Sequence, residues 1–247
     1  MRFKLLWALP LAFAPVAAPQ GYEVPQRETL QYSIEWRLIT AGKARIEWSP
    51  RPEARSGYRV NLHMESVGLV SKLFKVDDTY TALVNTSYCV QSAQSKTHEG
   101  SRQRETSITF DAQAHKAWYD ERDLAKNVQL ARIETDIPAC THDLMGGLYY
   151  LRTLNMDVQQ SMMVPVSDGK KNVMAKVEAQ AREEVKTPAG TFRTIRYELY
   201  LFNDVLFRRS GHLYVWLTDD RRRLPVQIRA RMQITTGTIT LQLEKVE

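Results

Sequence analysis

Residues 30–38 read Leu30-Gln31-Tyr32-Ser33-Ile34-Glu35-Trp36-Arg37-Leu38: every even-numbered side chain is apolar and every odd-numbered one polar. A period of two is the period of an extended strand, so one face of this segment is buried and the other is wet. The rhythm returns along the chain at Ala44/Ile46/Trp48, Tyr58/Val60/Leu62/Met64, Val173/Ala175/Val177/Ala179, Ile195/Tyr197/Leu199/Leu201, Val226/Ile228/Ala230/Met232/Ile234 and Ile239/Leu241/Leu243. Buried parallel strands would read as continuous apolar runs, and no helical segments lie between these strands to serve as crossovers. The pattern therefore predicts a large antiparallel sheet.

Turn chemistry agrees with that reading. Thr187-Pro188-Ala189-Gly190-Thr191 is placed to join two strands, Thr236-Gly237 to join the last two in a tight hairpin, and Asp219-Asp220-Arg221-Arg222-Arg223 to join the strands around Leu213–Leu217 and Val226–Ile234. Residues 50–57 read as a longer loop. One segment breaks the rhythm: from Thr141 to Leu154, Leu144, Leu148 and Leu151 share a helical face, and Thr141 or Asp143 can cap its start. Gly146-Gly147 inside it costs about 1 kcal/mol per glycine in propensity, which implies close packing on the sheet or an irregular turn. A second, short helical turn is expected at Leu69–Phe74. A sheet of a dozen or so strands with one wet face must curl, so the expected fold is mainly β: a large curved antiparallel sheet, an open or half barrel, wrapping one amphipathic helix.

Outward from this core, the chain ends explain its compartment. Arg2 and Lys4 precede the apolar run Leu5–Ala14, and small residues follow at Val16-Ala17-Ala18. That is the form of a secretory signal peptide, here assigned to residues 1–20, with residues 21–247 as a single β-rich domain. No later stretch approaches 18 consecutive apolar residues, so no transmembrane segment is expected after signal removal. The chain is then expected to be periplasmic or secreted from a bacterium. An oxidising compartment lets the two cysteines, Cys89 and Cys140, be read as a disulfide; two free buried thiols are the alternative. Such a bridge closes a loop of about 50 residues and contributes on the order of 4 kcal/mol.

Composition is close to the globular average, with 43% hydrophobic and 25% charged residues. The formal charge is +6, and falls to +4 once residues 1–20, with two basic and no acidic residues, are removed. Residues 186–247 carry 11 Lys and Arg against 6 Asp and Glu, a basic third that suits an anionic surface or is simply a solvated sheet face. Nucleic acid is not an expected partner, because a secreted chain without a reading helix or aromatic motif lacks the means.

Standard signatures of chemistry are missing: no G-x-S-x-G elbow, no phosphate-cradling glycine loop, no dinucleotide fingerprint and no metal-ligand spacing. Five dispersed histidines predict no metal, and no cofactor is expected. Candidate ligand-binding residues are Trp36, Trp48, Tyr149, Tyr150, Arg152, Trp216, Asp220 and Arg222. The aromatics can stack on a sugar or line a pocket for an acyl chain, although Trp36 and Trp48 fall on apolar strand faces and read as core residues first. Arg152, four residues after Leu148 on the helix, is expected to turn inward to a carboxylate, Asp219 or Asp220.

Several segments together carry a resemblance: Ala41-Gly42-Lys43-Ala44, Phe110-Asp111, Pro138–Asp143 running into Leu148-Tyr149-Tyr150-Leu151-Arg152, Thr187–Phe192, and Val215-Trp216-Leu217-Thr218-Asp219-Asp220 continuing to Val226. In order and content the chain resembles the domain of unknown function 3108 family over about residues 28–246. That resemblance implies an exported bacterial envelope protein and brings no catalytic residues. A fainter architectural likeness is to the periplasmic lipoprotein-carrier half-barrels, in which a curved sheet shelters acyl chains. The leading functional expectation is a non-catalytic binding or scaffold module for a lipid, a lipoprotein or another apolar or anionic envelope component. The alternative is a glycan-acting hydrolase or lyase using Asp111, Asp143 or Asp220, which requires two carboxylates to converge in a cleft.

Overall fold

A computed structural model of the chain describes residue 22 and residues 24–37, 39–51, 56–232 and 237–247. The expected signal peptide, the middle of the 50–57 loop and residues 233–236, including Thr236, lie outside the described residues.

The two-residue rhythm becomes fourteen strands among the described residues: β1 (Glu28–Trp36), β2 (Ile39–Pro50), β3 (Tyr58–Ser66), β4 (Asp77–Val84), β5 (Val90–Glu99), β6 (Arg102–Asp111), β7 (Lys116–Asp123), β8 (Val128–Asp136), β9 (Ser161–Ser167), β10 (Asn172–Thr187), β11 (Gly190–Leu199), β12 (Gly211–Thr218), β13 (Pro225–Met232) and β14 (Thr238–Val246). Two helices interrupt them, α1 (Gly68–Leu73) between β3 and β4 and α2 (Leu144–Thr153) between β8 and β9. All fourteen strands form one antiparallel sheet in the order β8 to β1, then β14 to β9. Each strand thus pairs with its sequence neighbour except at the centre, where β1 pairs with β14 from Leu30↔Val246 to Trp36↔Ile239. The edges of the sheet are β8 and β9, the two strands that flank α2 in the chain.

Strand parity sets the inner face. Leu30 and Tyr32, Ile46 and Trp48, Ala82 and Val84, Ile195 and Tyr197 alternate with wetter residues and are all buried. The β12–β13 hairpin forms as expected, closed by Asp220, whose carboxylate accepts from the backbone N–H groups of Arg222 and Arg223 at 3.0 and 3.2 Å. The last two strands pair as expected, from Gln227↔Gln242 to Arg231↔Thr238, with the Met232 N–H donating to the Gly237 carbonyl at 2.9 Å.

The connector after β8 stitches the two sheet edges together at one end. Cys140 is bonded to Cys89 just before β5, and the Val90 N–H donates to the Thr141 carbonyl at 2.9 Å. On its other side, His142 pairs in parallel with β9, donating to the Pro165 carbonyl at 3.0 Å and accepting from the Ser167 N–H at 2.9 Å. The helix α2 then lies over this end of the inner face. At the opposite end, where β3 stops and β4 starts, the rim carries the short α1.

Candidate functional site

The helix α2 is fixed to the β1–β4 half of the sheet by polar and aromatic contacts. Asp143 caps it, accepting from the Met145 and Gly146 N–H groups at 3.1 and 3.0 Å, and also accepts the Tyr80 hydroxyl proton at 2.7 Å. Gly146 is required for this approach, since a Cβ there would sit 2.7 Å from the Asp143 Oδ1 and 3.0 Å from the Tyr88 carbonyl oxygen. Trp48 is sandwiched, its ring 4.0 Å from Tyr149 of α2 and 4.4 Å from Tyr58 of β3. Arg152 is fully buried and donates twice to Glu28, Nη1 to Oε2 at 2.6 Å and Nη2 to Oε1 at 3.0 Å. Nη2 also donates to the Arg222 carbonyl at 3.1 Å, and the guanidinium lies 5.0 Å from the Tyr149 ring centre. Burial pulls the Arg152 pKa down, and the bonds to Glu28 outweigh it and raise it, so the guanidinium keeps its charge.

The expected partner of Arg152 is therefore corrected. Asp220 is engaged by Arg222 at 3.0 Å and Asp219 by Arg182 at 3.1 Å, both in the exposed β12–β13 turn. Glu28 occupies the inner-face parity of β1 with Leu30 and Tyr32, and delivers its carboxylate from the strand start to the helix.

Toward the β9–β11 half, α2 presents mainly apolar side chains, and a crevice of about 30 Å³ remains between Leu151, Leu154 and Val164, Val177, Leu199, Leu201. An apolar row leads to it across the inner face. Trp36 faces Ile239, Ile239 faces Ala230, Ala230 faces Leu213, Leu213 faces Leu199, Leu199 faces Val177 and Val177 faces Met162. Apart from Val177, every one of these side chains is partly exposed. A second partly exposed row beside it holds Ile34, Leu241 and Ile228. The inner face is thus filled beneath α2 and uncovered toward the α1 rim, and its uncovered part is apolar. Near β7 it turns polar: burial pushes the Glu121 pKa up, but bonds from Tyr119, Lys170 and Arg104, the last at 2.6 Å, outweigh this and hold it below the usual carboxylate value. A larger hollow of about 470 Å³ lies on β4–β7, lined by Thr79, Thr81, Ser107 and the Lys96–Glu105 ion pair, and it offers little apolar surface.

Comparison with known proteins decides the family. The profile described as protein of unknown function (DUF3108) matches residues 31–244, nearly all of the β-sheet. The chain belongs to the DUF3108 family. No curated protein sequence matches the DUF3108 chain. Among solved structures it is similar to a β-barrel-like protein of the domain of unknown function DUF1849 from Brucella abortus, with a TM-score of 0.61 and 9% identity, covering 91% of this chain and 98% of that one. Weaker likenesses are to a candidate lipoprotein of Parabacteroides distasonis (TM-score 0.37, 10% identity, 93% and 100% of the two chains) and to a candidate exported protein of YmcC-like fold from Bacteroides fragilis (TM-score 0.34, 11% identity, 92% and 98%). At these identities the likeness to the DUF1849 protein is one of fold.

In the DUF3108 chain the eight residues singled out from sequence do not converge. Trp48, Tyr149 and Arg152 meet beneath α2, and Tyr150 stacks on His142 at 4.3 Å on the side of the connector. Trp36 stands on the uncovered inner face. Trp216 points to the outer face of β12, covered by Arg229 at 5.0 Å and donating to Glu183 at 2.5 Å, while Asp220 and Arg222 pair in a turn. The carboxylates of the hydrolase reading are occupied separately: Asp111 closes the β6–β7 turn by accepting from Gln113 and Ala114, Asp143 caps α2 and Asp220 closes the β12–β13 turn. No group of three His, Cys, Asp or Glu side chains suited to a metal is found among the described residues. Leu213, Ala230 and Ile239 were not singled out from sequence; their parity puts them on the apolar face, but only the strand register aligns them with Trp36.

Proposed function

We propose that this DUF3108 chain is an exported envelope protein that holds an apolar chain, the acyl part of a lipid or lipoprotein, against the uncovered inner face of its sheet. The observation that carries the reading is the unbroken apolar row from Trp36 to Met162, partly exposed except at Val177 and running into the crevice under α2. Uncovered apolar surface inside a curved sheet is costly in water, and an acyl chain laid along it removes that cost. The crevice of about 30 Å³ admits little more than one water-sized group, so the chain lies along the row and ends at α2. Export is supported by the basic-apolar-small pattern of residues 1–20 and by the Cys89–Cys140 bridge, which suits an oxidising compartment.

The test is titration of the mature protein with a fluorescent long-chain fatty acid. Saturable uptake is expected for the native chain, weakened roughly tenfold or more by Leu213→Asp or Ile239→Asp, which place a charge on the row. Native protein that takes up no probe, or variants that take it up unchanged, would overturn the reading.

A further inference from the structure

Four large apolar side chains stand out of the rim opposite α2: Leu73 is 78% exposed, Leu69 70%, Phe74 53% and Ile39 50%. Leu69 and Leu73 are one helical turn apart on α1, Phe74 follows directly, and Ile39 begins β2, against which α1 packs. Their exposure is not fraying. The segment is tied down by Val67 N–H to the Ala41 carbonyl at 2.9 Å, Phe74 N–H to Val70 at 2.8 Å, Ser66 N–H to Val76 at 3.0 Å and Gly100 N–H to Lys75 at 2.8 Å. Phe74 also rests on the β5–β6 turn, where a Cβ on Gly100 would come within 3.0 Å of its ring. A rigid element that presents such a cluster to water marks a surface that is covered in use.

The charges around it select what covers it. Lys72 and Lys75 lie within the same short segment and are exposed. The acidic groups nearby are Asp77, hydrogen-bonded to His63 at 2.9 Å, Glu99, paired with Arg102 at 3.7 Å, the buried Asp78 and the exposed Glu65 at the end of β3, whereas the charges carried on the α1 segment itself are Lys72 and Lys75. Apolar tips set among lysines suit the boundary between headgroups and acyl chains, with ammonium groups level with anionic headgroups. We infer that the α1 rim docks this protein on an anionic lipid surface, with Leu69, Leu73, Phe74 and Ile39 entering the acyl boundary and Lys72 and Lys75 meeting the headgroups. This surface adjoins the inner-face row, since Ile39 is the cross-strand partner of Trp36, but Leu69, Leu73, Lys72 and Lys75 lie off that row, so changing them tests docking without altering the row.

The experiment is co-sedimentation of the mature protein with vesicles containing phosphatidylglycerol and, in parallel, with pure phosphatidylcholine vesicles, alongside light scattering of the protein alone. Binding to the anionic vesicles is expected, weaker in high salt and after Lys72→Glu/Lys75→Glu. Leu69→Ser/Leu73→Ser should reduce it tenfold or more with the melting temperature unchanged, because those side chains are mostly in water already. The inference is overturned by no binding, by equal binding to the neutral vesicles, by binding insensitive to the leucine changes, or by a dimer that the leucine changes dissolve. The fatty-acid titration is independent of all four outcomes, so either proposal can fail alone.

Discussion

At the scale of single residues, two buried groups under α2 tie stability to charge. Arg152 and Glu28 satisfy one another at 2.6 and 3.0 Å with both side chains almost wholly out of water. Removing one partner strands the other charge in the interior, at a cost of about 3–5 kcal/mol. Arg152→Ala or Glu28→Ala should therefore lower the melting temperature by roughly 10 °C. Arg182→Ala, at an exposed pair, should lower it by less than about 3 °C; equal shifts would rule out the buried pair. His142 gives a pH dependence. Burial lowers its pKa below the usual 6.5, against the opposing effects of the Tyr88 carbonyl, 2.8 Å from Nδ1, and of Asp143. The unfolded chain then holds the proton more tightly than the folded one, so this contribution to stability is present above pH 6.5 and lost as pH falls through the folded pKa. Asp143 has the opposite sign, its pKa raised by burial, so the native chain must be compared with His142→Gln to isolate the histidine. The advantage of the native chain over that variant should shrink between about pH 7.5 and pH 5 in thermal melts; an advantage that stays constant or grows would refute it.

At the scale of elements, the paired glycines of α2 have opposite roles. A Cβ on Gly146 meets Asp143, Tyr88 and Val84 at 2.7, 3.0 and 3.1 Å, whereas on Gly147 the nearest atom is 3.7 Å away. Gly147→Ala should stabilise by up to about 1 kcal/mol through helix propensity. Gly146→Ala should destabilise by about 1–3 kcal/mol despite the same propensity gain, because the cap or the helix must move. Urea melts of the two variants check this, and a pair shifting in the same direction would not fit the packing. Eight of the fourteen strands, β1–β3 and β10–β14, were legible because apolar parity survives in them, whereas mostly exposed strands such as β8 carry little of it, and α2 was legible because its parity breaks. The buried face of α2 was legible only in part: Leu148 and Leu151 are buried and Arg152 turns inward as expected, but Leu144 is 44% exposed while Tyr149 and Gly146 are inside. Hydrophobic spacing cannot foresee a helix seated by an ion pair and a ring stack. The available signal was Glu28, a charged residue on the parity of Leu30 and Tyr32; Asp78 and Glu121 sit on buried parity in the same way, and each is hydrogen-bonded. The uncovered inner row was hidden for another reason, since sequence reports which face is apolar but not how far one helix covers it.

At the scale of the whole molecule, the sheet's open seam is closed at two points. One is the connector bearing Cys140 and His142. The other is the β9–β10 turn, which reaches across to the inner face of β6 and β7. There Lys170 lies 4.4 Å from the Tyr119 ring centre and 3.2 Å from Glu121, and its carbonyl accepts from the Thr135 hydroxyl at 3.1 Å. Gly169 makes this contact, with a φ of +84° and no room for a side chain: a Cβ would sit 2.7 Å from Ile108 Cγ2 and 3.1 Å from Tyr119. Gly169→Ala combines left-handed backbone strain with overlap at Ile108, together about 2–4 kcal/mol. The turn is therefore expected to leave the β6–β7 face, parting the β9 edge from β8. That should lower the melting temperature by about 5–15 °C. It should also raise the fluorescence of a dye that reports exposed apolar surface, and speed proteolytic cleavage within residues 168–171. Lys170→Ala, which removes the ring and Glu121 contacts but leaves the backbone fit, should show a smaller version of all three effects. A Gly169→Ala protein with native dye response and native cleavage would mean that the connector alone keeps the sheet curled.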